Sequence, residues 1–331
     1  MNTPLAPSDE RIELGLEQLL LYVEAHPVKK LKTARQRRVQ RTRLGLGTVA
    51  IAAATVAIVM VSSIAPPAGG ASAQAAEILN AAAQSSITAS DPVVGIGQFL
   101  KVETTATYTS SNLTGAAPAH QYQYTTGLYI PANKSDVWVW ERDETKPTTL
   151  TDPDDLPAAL TRWEQTSAAE KHMLVRGRPG DANSPFVAPT SYENLSRNPQ
   201  VLLTQMAGKA TKDVQASSSK AWTAMTDLLQ TGQLPTDLRA AIYKAAILIP
   251  GITSLGTDQT ADGTSGDAIG MVNNFTNQAG KKVSARQDII IDPTTGQMIG
   301  RRTVLLSPTG QPVGPSSEWT AVKTTVVDTA P

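Results

Sequence analysis

Three histidines, His26, His120 and His172, are the only imidazoles in 331 residues, and none is paired at an HxxxH or HExxH spacing. Zinc chemistry needs two such side chains on one helix face or a clustered ligand set, so each histidine is expected as an ordinary surface residue. Cysteine is absent, which excludes thiol nucleophiles, thiolate-bound zinc, Fe–S clusters and anchoring through a lipidated cysteine. No serine occupies a G-x-S-x-G elbow. Asp258, Asp262 and Asp267 lie among Gly256, Gly263 and Gly266. They lack the alternate-residue spacing and closing glutamate of a calcium loop, so a polar hairpin turn is expected. Asp152, Asp154 and Asp155 read as a loop that ends in a helix N-cap before Leu156. Gly95-Ile96-Gly97 lacks the following glycine and strand–turn–helix setting of a dinucleotide loop. Arg176-Gly177-Arg178-Pro179-Gly180 is a basic turn able to meet phosphate, and is expected as a solvated loop. No catalytic residue, metal ligand or cofactor site is therefore nominated. The expectation is a protein that is not an enzyme, with an extracytoplasmic hydrolase as the remote alternative.

One constellation remains. Aromatics are scarce, yet Tyr108, Tyr122, Tyr124, Tyr129, Trp138 and Trp140 fall within 33 residues. A hairpin centred near Asn133 pairs even positions with even. Tyr122, Tyr124, Leu128, Trp138 and Trp140 then share one face, and Val137 and Val139 take the other. Two apolar faces imply a sheet covered on both sides, or one side left as a groove for an apolar ligand.

The elements that must position these residues follow from periodicity. A helix is expected over 74–83, strands over 98–109, 120–130, 136–141 and 171–176, and helices over 199–210, 217–230 and 235–249. The last opens on Pro235 and stops at Pro250-Gly251. Strands return over 252–255, 268–273, 283–291, 297–305 and 319–327, two of them joined by the turn Asp292-Pro293-Thr294-Thr295-Gly296. Strands, then helices, then strands argue for an α+β domain with a largely antiparallel sheet.

The net charge of zero conceals a sharp partition. Lys29, Lys30, Lys32, Arg35, Arg37, Arg38, Arg41 and Arg43 form a basic run, and no charge follows until Glu77. Within that gap, Leu44 to Ala65 is a 22-residue apolar stretch. As a helix it would be about 33 Å long, enough for a hydrocarbon core of about 30 Å. The flanking cations predict a cytoplasmic N-terminus and an extracytoplasmic C-terminal part. They act as a topology signal and a contact for anionic lipid, not as a nucleic-acid patch. Expected boundaries are a cytoplasmic tail at 1–43, a transmembrane helix at 44–65, a linker at 66–76 and an extracytoplasmic domain at 77–331. A competing reading makes Ala71-Ser72-Ala73 a signal-peptidase site. The apolar stretch exceeds an ordinary signal-peptide core, which favours an uncleaved signal-anchor. In the tail, Ile12, Leu16, Leu19, Leu20 and Val23 recur at helical spacing behind Ser8 and before Pro27. Such a stripe needs a partner, because a short helix alone in water is marginal.

The order of these pieces, with Gln98-Phe99-Leu100-Lys101-Val102, Gly127-Leu128-Tyr129-Ile130-Pro131, the segment from Leu234 to Tyr243, Leu248-Ile249-Pro250-Gly251 and the segment from Ile291 to Gly296, resembles an actinobacterial family of single-pass membrane proteins. The outer domains of that family are more loosely similar to half-barrel lipoprotein carriers and to periplasmic regulators of anti-sigma factors. The resemblance implies an antiparallel half-barrel and, because such proteins are often encoded beside extracytoplasmic-function sigma factors, a place in signalling; it supplies no catalytic residues. Two functions are thus expected to compete. One is a membrane-anchored protein whose outer domain senses or binds an apolar ligand. The other is an anti-sigma-like regulator whose tail docks on a cytoplasmic partner such as a sigma factor.

Overall fold

The computed structural model describes residues 69–110, 120–147, 156–181, 186, 190–208, 214–276, 282–314 and 316–331. The tail stripe, the basic run and the apolar segment at 44–65 lie outside the described residues. Among the described residues no helix is long and apolar enough to cross a membrane.

The chain forms an α+β domain around one open antiparallel sheet of nine strands. Helix α1 (Ala73–Thr88) leads into β1 (Phe99–Ser110), β2 (His120–Pro131) and β3 (Trp138–Glu144). Then come α2 (Leu156–Gln165), the single turn α3 (Ala168–Lys171), β4 (His172–Gly177), the short α4 (Thr190–Glu193), α5 (Pro199–Ala207), α6 (Val214–Gln230) and α7 (Thr236–Ala246). The chain closes with β5 (Ile252–Gln259), β6 (Ser265–Thr276), β7 (Lys282–Ile291), β8 (Met298–Leu306) and β9 (Glu318–Val327). The sheet order is β4-β3-β2-β1-β9-β8-β7-β6-β5, so β9 pairs with β1 and joins two hairpin meanders.

Helix α1 begins within the segment assigned to a linker. Ser72 accepts from the Ala75 amide as N-cap, and the amides of Ala71 and Ser72 donate to the Ile247 and Ile252 carbonyls. Ala71, Ala75 and Ala76 are buried. The ordered domain thus starts before residue 77, and the Ala71-Ser72-Ala73 segment is part of its packing. Helix α7 ends at Ala246 instead of Ile249, because the chain tightens to three-residue hydrogen bonds before Pro250.

Ile252, Ile269, Met271, Ile289, Ile291 and Met298 present one face of β5–β8 to α1, α5, α6 and α7, and these elements form the main core. Residues 238–246 of α7 are all buried, as an internal helix requires. Its two buried cations are satisfied: Lys244 donates to Asn80 Oδ1, and Arg239 makes three bonds described below. Near the opposite edge, Gly127 lets Tyr129 and Glu141 lie over it, and the Tyr129 hydroxyl donates to Glu141.

Candidate functional site

The hairpin register of β2 and β3 pairs Leu128 with Trp140 and Tyr124 with Glu144, so even positions oppose even positions. Tyr122 stands opposite Tyr108 of β1. Tyr122, Tyr124, Leu128, Trp138 and Trp140 therefore belong to one face, as the spacing requires. That face is divided. At its lower end Trp138 is 1% exposed, with Ile130 and Phe186 against it and Leu100, Leu128, Trp140 and Val175 around them. The Trp138 and Phe186 rings are 5.9 Å apart, and the Trp138 indole donates to the Lys134 carbonyl. This half is a satellite core, which removes Trp138 from an apolar ligand face. At the upper end Tyr108 and Tyr124 are 6.4 Å apart and the Arg142 guanidinium lies 5.1 Å from the Tyr124 ring. That region combines aromatic rings with a cation and is not a purely apolar groove. Across the sheet, Val139 and Tyr129 are buried, so both faces are covered here.

A distinct cleft opens where β8 and β9 part. These strands pair only through Arg302–Trp319 and Thr303–Glu318. The tip of the β5–β6 hairpin fills part of the gap, since the Ala261 amide donates to the Thr320 carbonyl and the Trp319 indole to the Gln259 carbonyl. What remains is a cleft of about 380 Å³, lined among others by Arg239, Asp262, Asp292, Met298, Val322 and Lys323.

Arg239 is 3% exposed and organises one wall. Its Nε donates to Ser86 Oγ, Nη1 to the Leu234 carbonyl and Nη2 to Asp91 Oδ1, at 3.2, 3.0 and 2.9 Å. Asp91 Oδ2 in turn accepts from the Thr236 amide at the start of α7. Below this wall the Asp292–Gly296 turn packs into α1. A Cβ on Gly296, whose φ is +64°, would stand 2.3 Å from the Ala82 carbonyl oxygen. The Gly296 carbonyl accepts from Ser86 and from the buried Tyr243 hydroxyl. Burial pushes the Tyr243 phenol far above its usual range, so it stays a neutral donor. The segments 234–243 and 291–296, separated by about fifty residues, thus meet in one knot beside the cleft.

Asp262 caps its own hairpin turn, accepting from the Thr260 hydroxyl and the Thr264 amide, and the Thr260 hydrogen bond lowers its carboxyl pKa. Asp292 accepts from the Thr294 amide and the Thr295 hydroxyl. These are the turn roles expected for such acids. Among the described residues no group of three His, Cys, Asp or Glu is placed to hold a metal ion. His172 pairs with Asp143 at 2.7 Å on an exposed strand, away from the cleft. Arg176 of the basic turn donates to the Pro331 carbonyl.

Two charge clusters escape a reading by spacing alone. Arg301 reaches Asp227 of α6 at 2.7 Å and grips Glu318 of β9 through Nε and Nη2. Desolvation raises the Asp227 carboxyl pKa even against the Arg301 charge. Asp288, 0% exposed, is held by Arg286 and Arg302. Each joins residues far apart in sequence, so no local signal marks them. No protein-family model matches this chain, and no curated protein matches it.

Proposed function

We propose that this chain is a non-enzymatic, membrane-anchored protein whose residues 69–331 form an extracytoplasmic sensing or ligand-binding domain of half-barrel type. The observation that carries the reading is the cleft at the β8–β9 separation, an opening into the domain walled by Met298 and Val322 and edged by Arg239 and Lys323. The other lining residues are mostly polar, Thr264, Thr295, Gln297 and Thr324 among them, so the ligand the cleft suits is a small molecule that carries polar groups beside an apolar part. The anchor rests on the apolar segment at 44–65 behind eight cations. The likeness to single-pass actinobacterial membrane proteins rests on the residues of the 234–243 and 291–296 segments. The anti-sigma-like alternative rests on the tail stripe from Ile12 to Val23, and tests independently.

The test is native mass spectrometry of the full chain released from its host membrane in mild detergent. A retained small molecule is expected in the native chain, and its loss is expected in Thr264→Trp, where an exposed residue lining the cleft becomes a plug. A native chain that carries neither a small molecule nor a cross-linked protein partner refutes the proposal.

A further inference from the structure

Between α1 and β1 the chain runs Pro92-Val93-Val94-Gly95-Ile96-Gly97, and no residue from Pro92 to Leu100 carries a charge. Ile96 is fully exposed and Val93 is 88% exposed, more than any other large apolar side chain among the described residues. Exposed apolar side chains scattered singly need no explanation, but two presented at one loop tip do.

The loop is held at both ends. Asp91 is fixed by the Arg239 guanidinium and the Thr236 amide. At the other end Gln98 accepts from the Gly95 amide, donates its own amide to the Gly95 carbonyl, and bonds Asp328 through its side chain. The tip is thus preorganised, and presenting it to a partner costs little ordering entropy.

The small size of the tip selects its occupant. Two side chains offer on the order of a few hundred Å² of apolar surface, well under the roughly 800 Å² per partner of a stable protein interface. A bilayer has no such minimum, because apolar groups enter its interfacial zone one by one. Chain length permits the contact. Residues 66–70, ahead of the docked Ala71, span about 17 Å when extended, so α1, about 24 Å long from Ala73 to the loop, reaches the bilayer at both ends when it lies tilted toward the bilayer plane.

We infer that the 92–97 loop is a second membrane contact, dipping Val93 and Ile96 into the outer surface of the bilayer that anchors the chain. This rests on the membrane-anchored reading above. Insertion would hold the cleft, whose lining includes Ala89, Ser90 and Pro92, against the lipid surface. The anchor then supplies locality, and the loop sets which side of the domain faces lipid.

The native chain has no cysteine, so Ile96→Cys supplies a unique thiol at an exposed site where no packing is lost. The full chain carrying an environment-sensitive fluorophore at that thiol is reconstituted in phosphatidylethanolamine–phosphatidylglycerol vesicles. Val313→Cys, a 51% exposed position between β8 and β9 at the opposite end of the strands, is the control. Blue-shifted emission at position 96, lost when quencher-bearing lipid is added, with aqueous emission at 313, is the expected result. Aqueous emission at both sites in a chain that co-floats with vesicles overturns the loop contact and leaves the anchor standing. Quenching at both sites overturns it too, because the domain would then meet lipid without a preferred side. A chain that fails to co-float removes the anchor reading and the loop contact with it.

Discussion

Replacing Arg239 by methionine keeps the aliphatic stem and deletes the guanidinium that ties α7 to the end of α1. Three interactions vanish. The Leu234 carbonyl, on a residue 3% exposed, loses its partner, and a buried unsatisfied acceptor costs about 1–3 kcal/mol. The Ser86 hydroxyl loses one bond but keeps its donation to the Gly296 carbonyl, so its share is about 1 kcal/mol. The Asp91 pair contributes less than about 1 kcal/mol, because that carboxylate is 39% exposed and water replaces the lost cation. The sum is about 3 kcal/mol, or a melting temperature lower by roughly 6–12 °C for a domain of this size. All five tryptophans, Trp138, Trp140, Trp163, Trp222 and Trp319, lie in the folded domain. Intrinsic fluorescence of the full chain during urea unfolding therefore reports on this domain alone. A loss under about 1 kcal/mol in Arg239→Met, or an Asp91→Ala variant that costs as much, would sink the argument that a buried hub holds this wall.

Other perturbations have equally definite outcomes. Gly296→Ala should cost at least about 2 kcal/mol, from a positive φ plus a clash with the Ala82 carbonyl. Gly310→Ala, at φ +80° with open space, pays only the backbone share, so equal losses in urea titrations would remove the clash. Trp138→Ala should lose about 3–5 kcal/mol if its ring is core; near-native unfolding would return Trp138 to the ligand face. Because desolvation holds Asp227 above 3.8, the folded chain keeps that proton to higher pH than the unfolded chain. Its favourable share is therefore greatest below the unfolded value and fades as pH climbs through the raised one. Asp227→Asn should flatten the fall in melting temperature as pH rises above the ordinary carboxylate value, and parallel profiles would rule the shift out. In the tail, Leu16→Asp with Leu20→Asp should derepress a target regulon if the stripe docks on a transcription factor, and an unchanged transcript profile eliminates that reading.

The strands were legible because their chemistry is local. Threonine, valine and tyrosine at alternate positions mark β1 and β2, and Asp292-Pro293-Thr294-Thr295-Gly296 dictates a reversal, so both features stand where expected. The even-with-even pairing of β2 and β3 followed from the turn alone. What covers that sheet was not legible. Phe186 is 48 residues from Trp138, and nothing in a pattern of alternation says that a distant loop will return a ring to close one end of an aromatic face. The shared register is seen in the pairing of β2 with β3, and of the two readings that spacing left open, a covered sheet or a groove, the packing of Phe186 on Trp138 favours the covered one at that end.

The candidate site was hidden for a deeper reason. A cleft between β8 and β9 is a failure of pairing, and sequence patterns report pairing only. Both strands have ordinary alternation, and their separation is set by the β5–β6 tip that inserts Thr260 against Gly300 and hands the Ala261 amide to Thr320. Gly300 has room for that tip because it has no Cβ. A side chain there would meet both Thr260 and the Thr320 carbonyl at 2.6 Å. Gly300 lies inside β8, and its missing side chain leaves the space that Thr260 takes between β8 and β9. Filling it should push the hairpin tip out and alter the cleft without touching any residue of the Arg239 wall. Gly300→Ala thus separates the shape of the site from its charge. Ligand retention lost in Gly300→Ala but kept in Lys323→Gln would assign recognition to the opening, and the reverse would assign it to the cation.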